Sequence, residues 1–219
     1  MGTVPIAAKG TAPRIRVFVD YWNLQLTLND REGEATGQVD VRFRVDWRGL
    51  PVWLARKAAD ITGIADYSYG GAIIYASYNP NSTEGRGFNN WATGWLNRQA
   101  GIQVQCHARQ PRNPPKCTVC HQPITNCPRP ECGARIAGTV EKGVDTAVAT
   151  DMIRLAWEEA YDIAVLTSSD ADLVPAVRFL DQKGLKVIQA GFPPSGVQLA
   201  TSCWASFDIF QHRNEIRRP

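Results

Sequence analysis

Residues 161–191 read YDIAVLTSSDADLVPAVRFLDQKGLKVIQAG. The run 161–168 is almost wholly apolar and β-branched, which predicts a central parallel strand. Residues 171–184 have helical spacing, with Pro175 near the start and Gly184 as the C-cap. Residues 185–191 predict a second strand. Strand, helix and strand in so short a span make a βαβ unit, and its two strands run parallel. Two carboxylates, Asp170 and Asp172, follow the first strand one residue apart. Functional sites of open parallel sheets form beyond the carboxyl ends of the strands, so these acids call for an explanation.

The same alternation extends outward. RIRVFVD (14–20) predicts a first strand ending on Asp20. Residues 29–46 are polar and predict a loop. The spacing of Leu50, Trp53, Leu54, Ala58 and Ile61 predicts a helix over 49–61. GAIIYASY (71–78) and IQVQCHA (102–108) predict strands two and three, with a helix over 86–100 between them. VDTAVATDMIRLAWEEA (144–160) predicts a helix leading into strand four. A short helix near 195–202 and a last strand near 206–210 follow. Strands alternating with helices predict an α/β fold with a central, mainly parallel sheet flanked by helices. The chain has 219 residues, 44% of them hydrophobic, enough for one large domain with a small appendage.

The appendage is the segment 106–136. Residues 109–133 hold six prolines and four cysteines and no apolar period, too little to build a core unaided. CTVC (117–120) and CPRPEC (127–132) supply two short-spaced thiol pairs, the pattern of a tetrahedral zinc site. Cys117, Cys120, Cys127 and Cys132 are the candidate ligands, and His121 or Cys106 could replace one. A closed site of four thiolates is structural, not catalytic. Reduced surface thiols on a disordered loop are the bland alternative. Basic neighbours Arg109, Arg112, Lys116 and Arg129 would let the folded knuckle grip a phosphate backbone. A contact in a homo-oligomer is the competing role.

Three segments carry acids: FVDYWNL (18–24), EKGVDTAVATDM (141–152) and SSDADLVP (168–175). A parallel sheet gathers them if the first and fourth strands are neighbours. Clustered carboxylates raise one another's pKa, and a divalent cation removes that cost. Mg²⁺ and Mn²⁺ prefer oxygen ligands, activate water and hold phosphoryl oxygens. A helix cap is the simpler reading of Asp172, and Asp145 also suits a helix N-terminus. Capping leaves Asp170 unexplained. Asp170-Ala-Asp172-Leu-Val174 also fits a phosphoaspartate phosphatase, but fewer than fifty residues follow it, and Asp20 and Asp145 would be idle. Among aromatics, Trp22 is the best candidate for stacking on an unpaired base, ahead of Trp91 and Trp95.

In that order and spacing, the three segments resemble the signatures of the NYN domain, the LabA-like branch of the PIN-like nucleases. The resemblance covers roughly residues 14–210, interrupted by the cysteine-rich insert. It implies a PIN-like three-layer fold, an acidic pocket binding Mg²⁺ or Mn²⁺, and hydrolysis of RNA, less often DNA. By position it implies catalytic roles for Asp20, Asn23, Asp145, Asp170 and Asp172, the four aspartates being the metal ligands. Lys142 and Ser168 match its Lys and Ser, which with Trp22 are candidate contacts to the nucleic acid. Asp151 matches a further family acid, but lies about 240° around an ideal helix from Asp145 and is not expected to be a ligand. Ser169 stands where Gly is usual and Leu173 where Phe is usual. A non-catalytic module binding nucleic acid or protein is the alternative function.

The net charge of +3 neither requires nor excludes a polyanionic partner. Residues 1–13 read as a flexible lead and 211–219 as a basic tail. No segment approaches the length of a membrane span, the N-terminus lacks the pattern of a signal peptide, and Ile6 stands where a myristoylation signal wants Ser or Thr. The expected location is cytoplasmic.

Overall fold

The computed structural model describes residues 12–129 and 131–219; nearly all of the lead expected over 1–13 lies outside them. Strand β1 (Arg14–Asp20) runs directly into helix α1 (Tyr21–Thr36), followed by α2 (Leu50–Thr62) and β2 (Ser68–Tyr78). Next come α3 (Thr83–Gly94), β3 (Ile102–Ala108), and the two-residue strands β4 (Gln110–Pro111) and β5 (Thr139–Val140). Helix α4 (Val144–Trp157), β6 (Ile163–Thr167), α5 (Val174–Gln182), β7 (Lys186–Gly191), α6 (Val197–Ser202), β8 (Ala205–Asp208) and α7 (Arg213–Ile216) complete the order.

Six strands form one sheet in the order β3-β2-β1-β6-β7-β8, and every neighbouring pair is parallel. The chain builds outward from β1 to β3, then returns to the other side of β1 to build outward again. The order therefore reverses between β1 and β6, which opens a crevice at their carboxyl ends. Val19 pairs with Thr167, so Asp20 and Ser168 stand side by side at that crevice. The first and fourth predicted strands are indeed neighbours.

The two-residue period of the strands sorts the core into two layers. Ile15, Val17, Val19, Ala72, Ile74, Ile163 and Val165 face the side covered by α1 and α2. Phe18, Ile73, Tyr75, Ala164 and Leu166 face α4, α5 and α6. β4 and β5 pair antiparallel outside the sheet and close the neck of the cysteine-rich insert.

Helix α1 corrects the expectation of a loop over 29–46, whose first part is helical. The helix buries Leu24 and Leu28, but also Gln25 and Glu32. Gln25 donates to the Phe43 carbonyl (2.9 Å), and Asn29 accepts from the Phe43 amide (2.9 Å). Glu32 is paired with Arg213 and Arg217. A helix whose inner face is half polar has no clear apolar stripe, and the partners that satisfy it lie far along the chain. The C-terminal segment is likewise docked: Arg218 N–H bonds the Arg44 carbonyl, and Asp46 N–H bonds the Ile216 carbonyl, both at 2.8 Å. Helix α3 begins at Thr83, earlier than expected, because Ser82 Oγ caps it by accepting from the Gly85 amide (2.9 Å).

Candidate functional site

At the crevice, Asp20 ends β1 and caps α1: its Oδ1 accepts from the Asn23 amide at 3.1 Å. The side chain is 6% exposed. Its pKa is pushed up to about 6, chiefly by burial; the Asn23 amide opposes the shift, and the charges of Glu141, Asp145 and Asp170 add to it.

The loop after β6 is pinned to this acid. The Ser168 hydroxyl points at Asp20 Oδ2 (3.5 Å) and accepts from the Asp170 amide (3.2 Å). Asn23 Oδ1 accepts from the Ser169 amide (3.0 Å), so Asn23 ties the start of α1 to the end of β6. From β7, Gln189 donates to the Ser168 carbonyl (2.8 Å). Gly196, at φ 71°, packs so close that a Cβ there would come within 2.8 Å of Ser169. Ser169 itself is not among the residues at positive φ, so Gly is not needed at that position.

Asp170, not Asp172, is the cap. Its Oδ1 accepts from the Asp172 amide (2.8 Å) and opens a 3-10 turn over 171–173 that leads into α5. Pro175 follows in the first turn of α5. Asp172 is exposed at the mouth of the crevice. Asp145 lies in the first turn of α4. Its pKa is raised by burial first, then by the charges of Asp170, Glu141 and Asp172.

Glu141 is the residue that sequence reasoning missed. Its charge bears on both Asp20 and Asp145, so it belongs to the same cluster. The Ser77 hydroxyl donates to it, and Arg109 lies 3.7 Å away. The signal was present, since Glu141 opens the EKGVD segment, but it follows an irregular stretch with no period to place it. Arg109 also donates to Ser77 Oγ (2.9 Å) and sits over the Trp22 ring (5.7 Å). It therefore stands on the rim of the acidic crevice instead of on the insert. Trp22 is half-buried, and its indole N–H is held by the Ser77 carbonyl (2.6 Å).

Among the described residues, no group of three or more His, Cys, Asp or Glu side chains is drawn together tightly enough to hold a metal directly. The donors at the crevice are nonetheless all oxygens, mutually repelling and partly buried. That suits a hard divalent ion which keeps most of its waters and takes only one or two carboxylates.

A family model of the NYN domain matches residues 14–207. The chain belongs to the NYN domain family. That family comprises ribonucleases, and its nuclease members act on nucleic acids. No curated protein matches the chain. Among solved structures, a protein of unknown function from Vibrio parahaemolyticus is 17% identical, with 93% of this chain and 98% of that chain covered and a TM-score of 0.52. This likeness concerns the fold. An arabinose-binding protein, AraP, from Geobacillus stearothermophilus is 10% identical over 86% of this chain and 77% of its own, with a TM-score of 0.26.

Two features of this NYN chain lie apart from the crevice. Asp151 is buried on α4 and accepts from Tyr75 Oη (3.0 Å), Gln105 Nε2 (2.6 Å) and Arg154 (3.0 Å). It knits α4 to β2 and β3, with its lone pairs engaged. The insert forms two tight turns. In one, Cys117 N–H bonds the Gln122 carbonyl (2.9 Å) and His121 N–H the Cys117 carbonyl (3.0 Å). In the other, Cys127 N–H bonds the Ala134 carbonyl (2.7 Å) and Cys132 N–H the Arg129 carbonyl (3.0 Å). The amides of Cys120 and Val119, and then the Cys120 side chain, hold the Cys117 thiol below its usual pKa. Cys106 lies in β3 with its thiol pushed up to about 11 by burial. Lys142, Arg112, Lys116 and Arg129 are all exposed.

Proposed function

We propose that this NYN domain is a divalent-cation-dependent nuclease that hydrolyses phosphodiester bonds of RNA. The observation that carries the reading is the convergence of Asp20, Glu141, Asp145 and Asp170 on the switch point of the sheet, with the pKa of Asp20 raised by its neighbours as well as by burial. Asp20 and Asp170 also act as caps, but a neutral Asn or Ser would cap as well, and the mutual repulsion of the four acids opposes folding. Of Asp20, Asp145 and Asp170, one or two would hold Mg²⁺ or Mn²⁺ directly and the rest through its waters, with Glu141 beside them and Asp172 at the mouth. The bound ion supplies a nucleophilic water at neutral pH and charge stabilisation on the phosphoryl oxygens. Asn23 and Ser168 keep the loop after β6 in register with Asp20, so that the acids face one another. Lys142 and Arg109, at the edge of the cluster, would steer the phosphate.

The four cysteines of the insert would close on one structural Zn²⁺. One thiol pair lies in each of the two turns, and amides directed at Cys117 favour the thiolate that zinc requires. The insert's exposed cations would then meet the substrate backbone.

The test offers labelled single-stranded RNA, duplex RNA and DNA with Mg²⁺, Mn²⁺ or EDTA. Cleavage of RNA by the wild type with either ion, and none by Asp170→Asn, is expected. Metal-dependent cleavage retained by Asp170→Asn would sink the assignment. Binding without cleavage in every metal would instead favour a non-catalytic module.

A further inference from the structure

Residues 42–48, RFRVDWR, alternate strictly. Phe43, Val45 and Trp47 are buried, while Arg42, Arg44 and Arg48 are exposed. The bridge between Val45 and Arg217 and the bond from Arg218 N–H to the Arg44 carbonyl set Arg218 beside them. Among the described residues, none of these four guanidinium groups has an ion-pair partner. Two acids, Asp46 and Glu84, share the surface, and Asp46 is engaged with the Arg48 amide (3.2 Å). The local balance is thus positive.

Facing these cations, α3 and the residue after it present two stacked indoles. Trp91 and Trp95 have ring centroids 5.8 Å apart and planes within 20°. Trp95 is 41% exposed and, unlike the more exposed Trp157 and Trp204, lines a cavity beside arginines. Between the cations and the indoles lie cavities of about 700 and 460 Å³. Both are lined by Val45, Trp47, Trp91 and Arg218, so they form one trough. Its inner end is lined by Tyr21, the residue after Asp20. Tyr21 meets Trp22 edge-on at 4.9 Å. This end of the trough thus lies at the start of α1, whose cap is Asp20.

We propose that this trough is a binding groove for single-stranded nucleic acid, with phosphates on Arg42, Arg44, Arg48 and Arg218 and an unpaired base on Trp95. A cationic wall opposite an exposed aromatic face is what a single strand requires: every base has a π-face, and every linkage a charge. A duplex keeps its bases stacked internally and gains only the cations. For what the groove feeds, the inference rests on the nuclease reading above.

Binding is measured on full-length, zinc-loaded Asp170→Asn protein without added Mg²⁺ or Mn²⁺, so that the strand stays intact. The probes are fluorescein-labelled oligouridylate and oligodeoxythymidylate of about 12 nucleotides, and a hairpin duplex. Tighter binding of both single strands than of the duplex is expected. Adding Trp95→Ala should weaken single-strand binding about tenfold, and Trp95→Phe should restore most of it. Arg44→Gln with Arg218→Gln should flatten the dependence of log K on log salt by about 1.4. Circular dichroism of each variant checks its fold. No binding, equal binding of the duplex, or unaltered binding by these variants would overturn the groove. If they bind normally while the wild type cleaves RNA in Mn²⁺, the groove falls and the nuclease reading stands. If they lose binding while the wild type cleaves nothing, the groove stands and the nuclease reading falls.

Discussion

The acidic crevice and the cysteine insert both gather candidate metal ligands, yet they are built in opposite ways. The crevice acids hang on the ends of regular elements: Asp20 on β1, Asp170 after β6 and Asp145 on α4. The core beneath them is complete, so the fold holds the acids together against their repulsion. The insert has no core, and Val119, for example, is 85% exposed. There an ion would hold the fold together. On the proposed reading, metal in the crevice would serve chemistry, and removing a ligand would cost activity; metal in the insert would serve structure, and removing a ligand would cost order.

The largest effect that would break this contrast is at Asp20. Asp20→Asn keeps an oxygen to cap α1 and removes a buried charge. Cleavage should fall at least about a hundredfold, while the thermal midpoint in EDTA at pH 8 should rise. A variant that loses both activity and stability would mean that Asp20 is structural.

Packing sharpens the same contrast. Leu28 is fully buried on α1, and Leu28→Ala should cost about 2–5 kcal/mol in urea unfolding. Val119→Ala in the insert should stay within about 0.5 kcal/mol. Equal losses would show that the insert has a core of its own.

Zinc chelation should act on the insert alone. With a strong chelator, or in Cys120→Ser, limited proteolysis should cut within residues 112–136 about tenfold faster, leaving the flanking domain intact. Collapse of the whole domain would contradict the division.

The smallest effect is in pH. The Asp20 pKa is raised from 3.8 to about 6, so the folded state binds the extra proton between those values. This contribution is fully present below about pH 4 and is lost as pH rises through about 6. Without metal, the urea midpoint of the wild type should fall behind that of Asp20→Asn over this window. Mg²⁺ should close the gap above it, where the carboxylate is charged. A gap that opens toward low pH would refute the sign.

What the sequence disclosed follows the same physics. Strands β1, β2, β6 and β7 were legible because they are largely buried and apolar, β3 because Ile102, Val104 and Cys106 alternate with polar residues, and α2, α4 and α5 because their apolar faces are continuous. Helix α1 was hidden because Gln25 and Glu32 lie on its buried face, satisfied by Phe43, Arg213 and Arg217. The acids at strand ends could be named from three short segments. The cap on Asp170 could not, because a 3-10 turn over 171–173 displaces the start of α5. Glu141 and Arg109 stand at the two ends of the insert, far apart in sequence, and the pairing of β4 with β5 brings those ends together at the crevice.

The most direct test of the central claim is Mn²⁺ binding to the crevice, followed by electron paramagnetic resonance on zinc-loaded protein. The account predicts saturable binding to the wild type that is lost in Asp170→Asn and unaffected by Cys120→Ser. Absence of saturable binding, or the same binding in Asp170→Asn as in the wild type, would contradict it.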